Sequence, residues 1–580
     1  MRKTKIIILF LFLTNCLFSE YFRNIKYSVC FAGQSDSREI IIGAMKKELQ
    51  RSMKKLRMED FESPYFISYW IKEEHSISIS GKFGSVTSNS ERKRRSVYVE
   101  VRVGYYEFDN TERKSGRYDF SSFGLIPMSS YTVPIEDNEI SIRSVLWYLT
   151  DMKYKEALDN YLKKKGEKIF SVEEEHIDDF SREDKHIFYS EQKKLELGKD
   201  EWLKIVRDIT DYLGKIEGLY ESNMDVSGEK VVDYFVNSED SEIADEYINY
   251  SVNISAKIKS EDGMSIENFR NYKVTEYDEI PDYEKLKKDV EKMVDELLRL
   301  QKADEMKPYT GPAILDPSVT GVIFHEAIGH RLEGERQKRE ESGQTFKDKI
   351  GEKIVPEFLT IIDDPTLRRF NGESLFGYYK FDDEGIPAQK VVLIENGILK
   401  NYLLSRTPIK GFSKSNGHGR SDGSPFQGDP VGRMSTFIIK SKKEFDYDEL
   451  KNRLIEECKK QGKPYGFIIK KAIGGETYTQ RGGMQAFKES PILVYTVDVG
   501  SGEEKLVRGV EIIGTPLTSI NKMIASSTEY EVYNGYCGAE SGVIPVSTIA
   551  PWILTSEVEL QKSSGGKSKP PILPSPVFEK

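Results

Sequence analysis

The chain has 580 residues, 38% of them hydrophobic, with a formal net charge of −10 and a mean hydropathy of −0.52. That is ample for two buried cores, and it excludes a protein of many membrane spans and a basic nucleic-acid binder, so nucleic acid is not an expected partner. Four cysteines in a chain this long exclude a disulfide framework.

The first segment, MRKTKIIILFLFLTNCLFSE, has Arg2, Lys3 and Lys5 followed by an apolar run from Ile6 to Leu13, too short to span a bilayer. It predicts a signal peptide over 1–19 and an extracytoplasmic location in a bacterial periplasm or envelope. Leu13-Thr14-Asn15-Cys16 is similar to a relaxed lipobox. Attachment to a membrane through a lipid on Cys16 is one expectation, and ordinary cleavage near Ser19 or Glu20 is the other.

Ile42, Met45, Leu49, Met53 and Leu56 recur at helical spacing and predict an opening helix, followed by strands at Phe66–Trp70, Ser76–Ser80 and Val97–Val103. His75 interrupts this alternation, and the basic run Glu91-Arg92-Lys93-Arg94-Arg95 between strand patterns reads as a solvated hairpin loop. Residues 141 to 215 read as helices rich in Lys and Glu, with His176 and His186 on solvated faces, and a strand-rich patch follows near 245 to 275. Leu286, Val290, Met293, Leu297 and Leu300 then lie on one face of a helix that leads into Pro308-Tyr309-Thr310-Gly311-Pro312, a boundary signal.

Beyond it come mostly strands and glycine turns, interrupted by His325-Glu326-Ala327-Ile328-Gly329-His330. Two imidazoles and a carboxylate within six residues suggest a metal site, because the H-E-x-x-H pattern puts two His on one helix face with a general base beside the first. Here one residue is added, which on a regular helix turns the second ring away by well over a third of a turn. Either a π-type bulge absorbs that residue or His330 sits past a break, and Gly329 suits both. A catalytic zinc takes a third protein ligand. Cys458 falls on an amphipathic helix as a small apolar residue, and Cys16 and Cys30 lie near the N-terminus. That leaves Cys537, between Tyr536 and Gly538, and His418, between Gly417 and Gly419; the residues alone do not choose.

Several stretches resemble the TldD/PmbA metallopeptidases, whose pattern is HExxxH. They are GVIFHEAIGHRLEGE, FDDEGIPAQKVVLIENGILKNYLLS with Asp382, Asp383 and Glu384, RGVEIIGTPLTSINKMIAS, and YCGAESGVIPVSTIAPWILTSEVELQ, together covering roughly 310 to 560. SPYFISYWIKEEHSISISGKFGSV and RSVYVEVRVGYYEFDNT look like extracytoplasmic members. The resemblance implies His325, His330 and Cys537 as ligands of Zn²⁺, Glu326 as general base for a zinc-bound water, and a peptide or unfolded protein segment as substrate. It also implies a dimer, with itself or with a related chain. Glu333 could orient an imidazole, or be a solvated carboxylate; Asp382-Asp383-Glu384 reads more readily as a turn before a strand than as a substrate contact.

The expected fold is α+β. A signal peptide (1–19) precedes an N-terminal domain of antiparallel sheet and long helices (30–307), a β-rich, barrel-like C-terminal domain carrying the HExxxH helix (311–560), and an extended tail (561–580). The expected activity is that of a zinc-dependent peptidase. The alternative is a non-catalytic metal-binding envelope protein or a partner subunit of a related chain; a fourth protein ligand, for which only His418 is suited, would favour it.

Overall fold

A computed structural model describes residues 37–111, 131–168, 177–338, 343–424, 429–477, 487–563, 567–569 and 571–579. The leader, Cys16, Cys30 and His176 lie outside them. Among the described residues no helix is long and apolar enough to cross a membrane.

Two sheets organise the chain. The first has seven strands, built on β1 (Pro64–Lys82), β2 (Ser85–Tyr105), β3 (Leu219–Asn237), β4 (Glu242–Lys259) and β5 (Ser265–Val274), which are antiparallel in the order β2-β1-β3-β4-β5; a short antiparallel strand at Phe108–Asp109 and a short parallel one at Ile187–Tyr189 complete it. Side chains alternate along a strand, so Ile67, Tyr69, Ile71, Ile77 and Ile79 of β1 share one buried face. Helices α1 (Ser37–Lys55) and α2 (Glu139–Lys168) cover one end of that face, and α3 (Lys199–Gly214) and α4 (Tyr283–Lys302) cover the other.

Three sequence expectations change here. Ser76–Ser80 is the second half of β1, not a separate strand, and His75 lies within β1 with its Nε2 2.7 Å from Glu91. The basic run Arg92–Arg95 belongs to β2, not to a loop; the turn falls at Phe83 and Gly84, and Arg94 and Arg95 pair across the strands with Glu74 and Glu73. Opposite charges facing each other on the pleat let an exposed strand carry such a run. Finally, 177–198 is not helical, and His186 sits in irregular chain with its ring 5.9 Å from that of Phe381. The strand over 219–237, absent from the sequence reading, is the centre of the sheet.

α4 follows its periodicity: Asp282 caps it by accepting from the Lys285 N–H, and Leu286, Val290, Met293, Leu297 and Leu300 are buried. Ile492 and Leu493 from the second sheet join the same apolar cluster, so α4 fastens the two sheets together.

The second sheet has thirteen strands. Its long members are β6 (Tyr309–Leu315), β7 (Leu359–Asp363), β8 (Val391–Glu395), β9 (Thr436–Ser441), β10 (Tyr465–Thr477), β11 (Phe487–Asp498), β12 (Glu504–Arg508), β13 (Val510–Gly514), β14 (Met523–Ala539) and β15 (Gly542–Lys562). β15 pairs with β6, β6 with β10, β10 with β11, β11 with β13, and β13 again with β15. The pairing therefore closes on itself, which leaves no free edge among those five strands. Helix α5 (Pro317–Ala327) packs against β10, β11, β14 and β15 and is buried all round except at Ser318. Its start is fixed by Asp316, whose side chain accepts from the Val319 N–H, and by Pro317 at the first helical position. The other Asp316 carboxyl oxygen accepts from the Lys471 N–H of β10 at 2.7 Å, while the Lys471 ammonium donates to Asn268 Oδ1 and the Phe269 carbonyl of β5. α6 (Tyr447–Lys460) covers the sheet with Leu450, Leu454 and Cys458 buried.

Where α5 meets β15 there is room only for glycine: a Cβ on Gly321 would lie 2.4 Å from Thr548 Oγ1. Gly321→Ala is expected to lower stability in urea unfolding by about 1–3 kcal/mol. Gly43→Ala, in α1 where nothing lies within 4 Å of the added carbon, is expected to raise it by roughly 0.5–1 kcal/mol.

Candidate metal centre

α5 ends at Ala327, Ile328 turns aside at φ −115° and ψ −53°, and a 3-10 turn runs from Gly329 to Leu332. His330 thus sits past a break rather than on a bulged helix. Arg331 reaches back and donates from Nη1 to the carbonyls of Glu326 at 2.6 Å and Ala327 at 3.3 Å, which satisfies the carbonyls freed at the helix end. Gly329 permits the close turn, since a Cβ there would lie 1.9 Å from the Met434 sulfur.

The break brings the rings of His325 and His330 to a centroid distance of 5.0 Å at 90° to each other. The third group comes from β14, more than two hundred residues on. Strand alternation turns the Tyr536 side chain out, 52% exposed, and the Cys537 thiol in, 4% exposed. Cys537 Sγ lies 3.1 Å from His325 Nε2 and 3.5 Å from His330 Nε2, and one ligand atom from each of the three residues falls within 4.8 Å of the others. A tetrahedral zinc with ordinary Zn–N and Zn–S bonds separates its ligand atoms by roughly 3.3–3.6 Å. Two imidazole nitrogens and a thiolate at this spacing fit that ion.

His418, the other candidate, is held elsewhere: its Nε2 lies 3.2 Å from Asp363 Oδ1 and its Nδ1 3.0 Å from the Asn416 carbonyl. Asp382 accepts from the backbone N–H groups of Glu384, Ile386 and Gly419, Asp383 from Ser421 and Glu384 from Arg406. These three carboxyls order a buried turn.

Around the three donor residues the charges alternate. Glu333, fully enclosed, accepts from His330 Nδ1 at 2.8 Å and from Arg336 Nε at 2.6 Å, and Arg336 continues to Glu540 at 2.9 Å. A proton on His330 Nδ1 leaves Nε2 free to coordinate. Arg433, wholly buried, donates from Nη2 to the Cys537 carbonyl at 2.9 Å and sulfur at 3.2 Å, and from Nη1 to Ser541 at 2.9 Å, clasping the β14–β15 hairpin to the site. Burial alone would raise the Cys537 thiol, but the charges of His330, His325 and Arg433 outweigh it and hold the thiol well below its ordinary value. Burial likewise opposes Glu333 ionisation, and Arg336 and His330 overcome it, bringing the carboxyl to about 2. Arg433, Arg336 and Glu540 were not found by sequence reasoning, since no local pattern ties them to HEAIGH.

With metal stripped, the chain is expected to keep the ultraviolet absorbance of the Cys537 thiolate, taken as the difference from Cys537→Ser, at about pH 7, where a thiol of ordinary pKa is almost wholly protonated. Because the folded value is depressed, the absorbance fades as pH falls. Arg433→Met and Glu333→Gln are each expected to weaken zinc affinity by roughly 10–100-fold in a competition titration with a chelator.

Residues 308–562 match the model of the PmbA/TldA metallopeptidase C-terminal domain. The metalloprotease MJ0996 of Methanocaldococcus jannaschii is 36% identical over 250 residues, 43% of this chain and 50% of that protein. A protein of Saccharolobus solfataricus named zinc metalloprotease TldD homolog is 28% identical over 249 residues, 43% of this chain and 51% of its own. The chain thus spans about half the length of the curated relatives it matches. The crystal structure of TldE from Thermococcus kodakarensis shares the fold, with a TM-score of 0.58 at 16% identity, over 89% of this chain and 100% of that one. The part of the chain that holds His325, Glu326, His330 and Cys537 is therefore similar to the PmbA/TldA metallopeptidase C-terminal domain.

Proposed function

We propose that this chain is a zinc-dependent peptidase that hydrolyses bonds in peptides or unfolded protein segments, with residues 311–560 as its catalytic domain and His325, His330 and Cys537 as the zinc ligands. The observation that carries the reading is Glu326, a carboxylate beside the first of three donor residues, two of them brought together by the helix break and the third supplied by β14. A structural site has no use for such a base.

Bound there, zinc would polarise a peptide carbonyl and make water acidic enough to attack near neutral pH. The Glu326 carboxylate receives the proton of the attacking water and hands it to the departing amine. Glu333 fixes the His330 ring, and Arg433 balances the charge of the Cys537 sulfur. Both His418 ring nitrogens are engaged elsewhere, which supports an open position for water or substrate and weighs against a closed structural site. Export by the leader 1–19, with or without a lipid on Cys16, and dimerisation with an identical or related chain belong to the same proposal and rest on the family resemblance and the leader sequence.

The test is zinc content and cleavage of casein fragments by the purified chain and two variants. Glu326→Gln is expected to keep zinc and lose at least about a hundredfold in rate, and Cys537→Ala to lose zinc. Zinc retained in Cys537→Ala would sink the ligand assignment. A wild-type chain that holds zinc but cuts nothing would favour the non-catalytic partner reading.

A further inference from the structure

Glu489 of β11 is 1% exposed, and neither oxygen of its carboxyl has a hydrogen-bond partner among the described residues. Leaving a buried carboxyl without a partner is costly, so such groups call for an explanation. Its position gives one. In the antiparallel register Glu489 lies directly opposite Gly475 of β10, and side chains of opposed residues project from the same face. On that face, the Cβ that Gly475 lacks would lie 2.8 Å from Glu326 Cγ and 2.7 Å from a Val322 methyl. Glu489 is therefore aimed over the missing side chain of Gly475 toward the general base of the proposed reaction. Asp316, another carboxyl whose charge reaches Glu489, is already committed to the Val319, Ser318 and Lys471 donors. Burial, reinforced by the charges of Asp316 and Glu326, pushes the Glu489 carboxyl well above the usual carboxylate range.

A buried, unpartnered carboxyl on the strand face where Glu326 packs against Gly475 has the make-up of a site for a cation. We propose that Glu489 receives a positively charged group of the substrate, an α-ammonium or a lysine or arginine side chain, and so positions a cationic peptide against Glu326. The assignment rests on the peptidase reading. Glu326 and His325 are themselves only 8% exposed, so a peptide that reaches them is desolvated on the way, and a cationic group on it needs a buried counter-charge. Met or Leu at this place would fill the same volume without charge; a carboxyl there has a use only if a cation arrives.

Four matched quenched-fluorescence peptides test this with the full zinc-loaded chain: free or acetylated at the N-terminus, each with or without one lysine. Glu489→Gln keeps the shape and removes the charge. It is expected to raise KM for the cation-bearing peptides by roughly thirtyfold while kcat, and cleavage of the acetylated lysine-free peptide, hold. The two sources separate by which peptides respond: acetylation alone abolishes the effect if the α-ammonium is bound, and loss of lysine alone if the side chain is. Equal loss on all four peptides, or no loss on any, overturns the proposal. Fluorescence anisotropy of the same peptides on Glu326→Gln, with and without Glu489→Gln, reads binding without turnover. A wild-type chain that cuts none of the four defeats the peptidase reading alone; preferential binding of cationic peptides that vanishes with Glu489→Gln still supports the pocket, and its absence overturns it.

Discussion

An imidazole five residues beyond another cannot share its face on a regular helix, and the rest of the site follows from how the chain meets that constraint. Ending α5 at Ala327 and tightening into a 3-10 turn swings His330 back toward His325. The break exposes carbonyls that need donors, and Arg331 supplies them from within the same turn. It also needs a close approach to Met434, which glycine at 329 allows. Motif, break, cap and glycine are one solution to a single geometric problem.

Holding that turn in a buried setting requires the charges to be balanced. Cys537, His330, Glu333, Arg336 and Glu540 form a chain of alternating sign, with Arg433 touching both the thiol and, at 3.6 Å, the Glu333 carboxyl. A buried charge is tolerated only when paired, and removing one member leaves its neighbour stranded. His330 and Cys537 are thus held by their neighbours with no ion needed to order them, which would lower the ordering cost of binding one.

Legibility in the sequence tracked how local each determinant is. The face of α4 could be read from Leu286 to Leu300 because the repeat is contained in the helix itself. HEAIGH stated its chemistry and its geometric difficulty in six residues, although not which remedy the chain uses. The run at Arg92–Arg95 misled because the partners that make it a strand, Glu73 and Glu74, lie about twenty residues away on β1. Cys537 could be chosen over His418 only through family resemblance. Arg433 and Glu489 were invisible: each is an ordinary charged residue until the fold sets it against β14 or Gly475. Pairing at long range, not residue type, defines them.

The sharing of Asp316 has a mechanical consequence. One of its oxygens starts the helix that bears His325, and the other grips the backbone of Lys471, whose ammonium is anchored on β5 of the other sheet. Lys471 makes this link at a φ of +66°, a conformation a non-glycine residue adopts only when its surroundings insist. Hydrogen bonds therefore run without a break from β5 of the first sheet to the first turn of α5. The seam between the two halves is thus also the foundation of the helix that carries His325, and the chain has traded independence of its parts for a site tied to their alignment.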